Sequence, residues 1–562
     1  MNPLHNKMIK LKLKLNFLMF VIAIINLFSV GWSQNMSFIH SGINVNDENY
    51  IPDFSYAGYH NGNKQIPDFT GTIVDAVDYN VVADDGLDDT KALQHAISEA
   101  SKSKGPVTLL LPPGKIIISG IIYIERNNFI LSGAGPGKHG TEIYCPRPLM
   151  YTKDPEDLKE LREYLIEFDK RQREKENNID LPFSQYAWSG GFIWARVPEE
   201  RVKPYLKKYD RPYEVLAKVT EGKRGDFYLS ISESQHLNVG DVVELQLFNK
   251  QGKEGQIIED LYKKQTLKIG SHHWSFPKLP IVRQQLKILS ISDGKAKIDC
   301  PLTIDVKPVF EAQLVRWKHL NEVGIQNFNI RFPKYPRIAH HVEPGFNGIY
   351  LTRVYNSWVK NVTIENADSG ILTENIANVT IENIVTKGEN TAHYTVAMSG
   401  TYNVLAKGVK VYNKAVHPLS FNTLATKCVY LNCEIFVDPI LDQHSGANHQ
   451  NLFDNTTVHI SPDEEMSYPL FKGGGAGYWK PSHGAFSTFW NVKINVLNEI
   501  NLSEIIKLHG MKDGPFARVI GINGNQTFKV NYEPLAMIKA VNEVFEKHPS
   551  LYNYQLTKRQ KK

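Results

Sequence analysis

Two polar stretches late in the chain carry the residue types of proton transfer. The first, from Ile440 to Asn455, reads ILDQHSGANHQNLFDN and holds Asp442, His444, His449 and Asp454. The second, from Phe471 to Asn491, reads FKGGGAGYWKPSHGAFSTFWN and holds Lys472, a glycine run, Tyr478, Trp479, Lys480 and His483. His393, His417 and Glu374 precede them. Imidazole, ammonium and phenol groups suit an elimination beside a carboxylate. There a base takes a carbon-bound proton, an acid protonates the leaving oxygen, and positive or hydrogen-bonding groups neutralise the carboxylate. In that chemistry His444 or His483 is base or acid, Lys472 neutralises charge and Asp442 orients. Hydrolysis of a glycosidic bond asks instead for two carboxylates, about 5 Å apart for retention and about 6.5 to 9.5 Å for inversion. Asp442 with Asp454, or Glu374 with Asp442, is the candidate pair. His393, His417, His449, Lys480 and Glu374 are candidate substrate contacts. Tyr478 and Trp479 offer faces for sugar rings, and the glycines admit close backbone approach.

Plain structural roles compete with each assignment. A single loop histidine is more often a surface or hydrogen-bonded residue; Asp442 can hold a turn and Asp454 can cap a corner. Gly473 to Gly475 lack the Gly-Lys-Ser/Thr ending of a phosphate loop. His272 and His273 are adjacent, so on one strand they would point to opposite faces. Convergence favours the cluster: His444, His449, His483, Asp442 and Lys472 fall within two repeats of a periodic fold.

That fold is legible in seven apolar-polar-apolar triplets. They lie at Phe328–Ile330, Val362–Ile364, Val379–Ile381, Val409–Val411, Cys433–Ile435, Val458–Ile460 and Val492–Ile494. Their starts are separated by 34, 17, 30, 24, 25 and 34 residues. Each triplet places two side chains on one face of a strand, and repetition at this interval predicts stacked coils of a solenoid. Asparagine or glycine flanks the triplets, as in the two NVTIEN strings at 361–366 and 378–383. Asparagine tolerates left-handed backbone at tight corners and ladders between coils. The expected class is all-β, a right-handed parallel β-helix with an N-terminal capping helix and a β-rich insertion.

Five regions follow. Residues 1–33 read as an export signal: Lys7, Lys10 and Lys14, an apolar run from Leu15 to Val30, then Gly31-Trp32-Ser33 as a small-x-small cleavage site. Residues 34–150 read as a strap, a capping helix with a Leu93/Ala96/Ile97/Ala100 stripe, and the first coils. Residues 151–312 hold a charged helical run at 153–178 and a small β insertion with period-two alternation. The main coils and the groove occupy 313–532, and a capping or strap helix ends the chain at 533–562. A buried free thiol is expected for Cys433, because it stands at a core position of its triplet.

The string DDGLDDTKALQHAI, followed by VTLLLPPGKIIISG, resembles the opening of pectate-lyase-superfamily proteins, covering about residues 70 to 145, with the repeats from 315 to 500 resembling it more loosely. The resemblance implies a parallel β-helix and a polysaccharide substrate lying in the groove, and leaves the reaction open. VGDVVELQ, DQHSGANHQNLFDN and HGAFSTFWN are similar to stretches of secreted β-helix proteins. The calcium-binding aspartates of the pectate lyases are not recognisable, and Asn347-Gly348-Ile349-Tyr350 has tyrosine where the alginate and chondroitin lyase group has glutamate. Ca2+ is therefore a candidate cofactor without a named site.

The chain has 562 residues, 42% hydrophobic and 22% charged, with a net charge of +5. That charge suits an acidic partner, and no basic or aromatic-basic module indicates nucleic acid. Beyond the leader no segment is long and apolar enough to span a bilayer. The expectation is a secreted or periplasmic lyase acting on an acidic polysaccharide. A paired-carboxylate glycoside hydrolase and a non-catalytic glycan-binding β-helix are the alternatives.

Overall fold

The computed structural model describes residues 50–172, 183–200, 203, 213–249, 255–263, 269–270, 279–444, 446–475, 480–499, 501, 503–543 and 548–561. Residues 1–52 form one unit, of which only 50–52 are described, and residues 53–562 form the other, to which everything below refers. The leader, Tyr478, Trp479 and His272–His273 lie outside the described residues.

All but one of the triplets stack on a single ladder of a long parallel sheet. Phe328 pairs with Val362 and Val362 with Ile384. Val411 pairs with Ile435, Ile435 with Val458, and Val458 with Ile494. Both apolar members of each triplet are buried, so successive coils bury one another's faces. The exception is Val379–Ile381, whose Ile381 pairs with Val359 and Ala406. The second NVTIEN therefore lies one stretch earlier along its coil than the first. The coil step there is the 22 residues from Val362 to Ile384, not the 17 between the two strings.

A corner divides the two stretches. Asn327, Asn361, Asn383, Asn432, Asn455 and Asn491 have φ between 51° and 65°, the left-handed region that asparagine tolerates. Their amides form a ladder: Asn361 donates to Asn327, Asn383 to Asn361, Asn455 to Asn432 and Asn491 to Asn455, over 2.7–3.1 Å. Gly408, at φ 66°, fills the corner where the ladder is interrupted.

A second, seven-stranded parallel sheet carries the polar residues of interest. Its order is Leu441–His444, Ala415–Asn422, Ala392–Met398, Ser369–Glu374, Asn347–Thr352, Ile193–Ala195 and Ile122–Ile124. Ile193–Ala195 is thus a coil strand inside the region expected to be insertion. The β-rich insertion itself is a closed antiparallel barrel of six strands running from Val215 to Arg316. Its core includes Leu245, Leu286 and Leu314 and continues into Tyr402, Leu424 and Ala447 of the coils.

The helix expected near residue 90 spans Thr90–Ala100 and buries Leu93, Ala96, Ile97 and Ala100 against the first strands. Asp89 occupies the N-cap position, but its carboxylate accepts from the Val82 and Ile117 amides; Asp88 accepts from Thr90 N. The charged run forms a helix over Glu156–Gln172 that buries Leu158, Leu161 and Leu165, so it is not merely solvated; residues 173–178 lie outside the described residues. At the C-terminus the expected helix is shorter and later. Met537–Val541 is a strand paired with Arg518–Gly524, and the helix spans Leu551–Gln560 with Ser550 as N-cap. The four cysteines, Cys145, Cys300, Cys428 and Cys433, are buried free thiols.

Candidate active site on the seven-stranded sheet

Side chains two apart on a strand share a face, so Asp442 and His444 project together. The next strand sets Ser420 beside Asp442 and Asn422 beside His444, and one strand further Tyr394 pairs with His417. Asp442 Oδ2 gathers these groups. It lies 3.2 Å from His417 Nδ1 and 3.4 Å from His444 Nδ1, and it accepts the Ser420 hydroxyl at 2.5 Å. The His417 and His444 rings meet edge to face at 4.4 Å. Tyr394 stacks 5.0 Å from His417, and its hydroxyl accepts from Asn422 Nδ2 at 3.2 Å.

The electrostatics follow from burial and mutual contact. Burial opposes ionisation of Asp442, yet the imidazoles of His417 and His444 hold its carboxyl well below the usual carboxylate range. Burial, reinforced by His417, lowers the His444 imidazole and keeps it neutral, while Asp442 pulls the other way. Burial raises the Tyr394 phenol, so it stays protonated. His417 Nε2 is buried and makes no hydrogen bond.

A second cluster adjoins the first. The loop from Pro333 to Phe346 brings His340 and His341 over His393, with ring centroids 4.5 Å and 5.6 Å from it, and His340 reaches within 6.0 Å of His417. Asp368 anchors that loop by accepting the Gly345 and Phe346 amides, and its own carbonyl accepts His393 N at 2.7 Å. Asn390 ties the loop's start through Tyr335 N and the Pro333 carbonyl. Glu343 Oε1 lies 3.5 Å from His393 Nδ1 and accepts from Arg337 at 3.1 Å. Trp188 closes one side, 4.8 Å from the His341 ring, on a turn held by Asn347 Nδ2 donating to the Tyr186, Ser189 and Gly190 carbonyls.

Of the residues singled out from sequence, the fold gathers His393, His417, Asp442 and His444. Lys480 is close enough to act on His444 electrostatically, and it bonds Ser482 Oγ at 2.6 Å and pairs with Asp513 at 3.4 Å. The others have different work. Asp454 belongs to the long sheet and accepts from Ser550 Oγ, Leu551 N and Tyr552 N, holding the start of the C-terminal helix. Glu374 is locked in a buried ion pair with Lys203 at 2.6 Å. Neither is available to pair with Asp442 for hydrolysis. His483 has both ring nitrogens engaged, by the Gly484 carbonyl and Tyr532 Oη, each at 2.5 Å. His449 is buried with Nδ1 on the Ala447 carbonyl, and Lys472 is exposed on a turn. The glycine run serves packing: a side chain at Gly474 would collide with the His444 ring.

Sequence reasoning missed His340, His341, Glu343, Arg337, Tyr394 and Ser420. The paired histidines in the proline-flanked PKYPRIAHHVEPG segment were the available signal. Two groups of three metal-ligating side chains occur among the described residues, His340/His341/His393 and His417/Asp442/His444. Both are dominated by imidazole, whereas Ca2+ takes six to eight oxygens, so neither fits the Ca2+ expectation.

Residues 73–143 match the family model described as Rhamnogalacturonase A/epimerase, pectate lyase-like, on the stretch that carries the sequence resemblance. The fold of the chain is a parallel β-helix, and the family match covers its opening stretch. No curated protein matches the chain. Among solved structures, the chain is similar to the tailspike protein of Pseudomonas phage LKA1, at 11% identity and TM-score 0.43, covering 84% of this chain and 81% of that one. A second is the Gp54 tailspike of an Acinetobacter baumannii bacteriophage in complex with capsular saccharide, at 9% identity and TM-score 0.33, covering 85% and 76%. A third is the DFA-IIIase of Arthrobacter chlorophenolicus without its lid, at 10% identity and TM-score 0.35, covering 84% and 94%.

Proposed function

We propose that this protein is an exported polysaccharide lyase acting on an acidic, uronate-containing polymer. The observation that carries the reading is the buried Asp442 carboxylate held between the Nδ1 atoms of His417 and His444. A carboxylate on Nδ1 fixes the tautomer and orientation of each ring and leaves its far nitrogen as the acceptor. His417 Nε2, buried and without a hydrogen bond, is the base that takes the C5 proton. As the C4–C5 double bond forms, the C4–O bond breaks, and the Tyr394 phenol protonates the leaving oxygen. His444 helps to hold Asp442 in place, and the cations Lys480 and Arg337 offset the substrate carboxylate's charge, which strengthens as the C5 proton leaves.

The partners of Asp454 and Glu374 elsewhere in the fold support the lyase reading over a hydrolase built on either of those carboxylate pairs. Export is part of the proposal and rests on the Lys-rich and apolar leader. The test is a panel of uronate polymers, with ultraviolet absorbance of unsaturated product measured alongside released reducing ends. Absorbance rising in step with reducing ends supports the lyase. Reducing ends without absorbance favour hydrolysis, and binding without turnover favours an adhesin-like role.

A further inference from the structure

We infer that His340, His341 and His393 form a binding site for one divalent transition-metal ion of the zinc class, separate from the His417–Asp442–His444 group. Each residue offers a ligand nitrogen, and these atoms lie within 4.8 Å of one another. Modest ring rotations close that spacing to the roughly 3.4 Å between nitrogens that each sit about 2.1 Å from a tetrahedral ion. His393 is wholly buried, and neither of its ring nitrogens makes a hydrogen bond. An imidazole so enclosed forfeits its solvation, and a metal ion would restore a partner to it. The consecutive residues His340 and His341 turn their rings to the same side, with centroids 3.7 Å apart. Glu343, 3.5 Å from His393 Nδ1, has the place of the outer carboxylate that orients a metal-binding imidazole, and Arg337 balances its charge. Three neutral imidazoles suit Zn2+, Co2+ or Ni2+ and leave a fourth position open. The neighbouring group differs, because its two Nδ1 atoms and the Ser420 hydroxyl all converge on Asp442 Oδ2.

The inference does not depend on the lyase reading, and its test needs no activity. The full chain, stripped with chelator, is titrated with Zn2+ by calorimetry and with Co2+ by visible absorption. One equivalent is expected, with the intense bands of four-coordinate cobalt. His393→Ala and His340→Gln should abolish the bands, Glu343→Gln should weaken Zn2+ binding about 10- to 100-fold, and His444→Ala should leave both intact. His340 stands on a loop, so its variant keeps the test valid if the His393 change impairs folding, which circular dichroism reports. No binding by the wild-type chain overturns the inference. So does binding that survives His340→Gln and is lost in His444→Ala.

Discussion

His417 Nδ1 stands 3.2 Å from Asp442 Oδ2 across two neighbouring strands, in a site where the carboxylate is almost completely buried. A buried ion of this kind needs compensating partners, and here two imidazoles and a serine hydroxyl gather on its Oδ2. That arrangement also fixes the orientation of both imidazoles, linking the packing of two coils to proton transfer.

Replacing the base should therefore act on turnover. His417→Ala and Tyr394→Phe are each expected to lower kcat by about 10²- to 10⁴-fold, the usual contribution of a positioned acid or base. Asp442→Asn should act through the orientation of both rings. Steady-state kinetics on the responsive polymer check this, with KM changing much less than kcat.

Asp454 should behave as a structural residue. Burial raises its carboxyl to about 7, against the three donors that it accepts at the start of the Leu551–Gln560 helix. Asp454→Ala removes that cap and leaves buried donors unpaired, for an expected loss of about 2–3 kcal/mol of stability. Denaturant unfolding measures the loss, and turnover of the folded fraction should stay near wild type.

Stability should fall in acid for a specific reason. Burial lowers the His340 imidazole to about 2 and lowers His341, His393 and His444 as well. The unfolded chain takes up these protons near pH 6.5, whereas the folded chain refuses them. Their contribution is thus present above about pH 6.5 and is lost progressively as pH falls toward the folded values. Melting temperature measured in chelator between pH 7.5 and pH 5 should drop, and drop less in His340→Gln.

The corner ladder should be costly to break. Asn361→Ala puts a β-carbon in the left-handed region and deletes hydrogen bonds to Asn327 and Asn383, for about 2–3 kcal/mol in all. Asn361→Gly should recover the backbone part of that loss. Equilibrium unfolding of the two variants separates the terms.

These residues also show what the sequence made legible. The triplets announced stacked coils because burial of alternate side chains leaves a period-two mark, and Asp442 and His444 were readable together because they sit two apart on one strand. The offset of Val379–Ile381 was not readable: identical NVTIEN strings fit either side of an asparagine corner, and only strand register distinguishes the sides. Asp454 and His483 misled because a carboxylate capping a distant helix and an imidazole bonded to Tyr532 look the same in sequence as catalytic groups. His340 and His341 escaped notice because long-range packing of their loop, anchored by Asp368, brings them to His393.

The most direct test of the central claim is the mass of the fragments released from a uronate polymer. Proton abstraction by His417 predicts that each new non-reducing end is one water lighter than a hydrolytic end, and that His417→Ala abolishes these fragments. Full-mass ends from the wild-type chain, or undiminished light ends from His417→Ala, would contradict it.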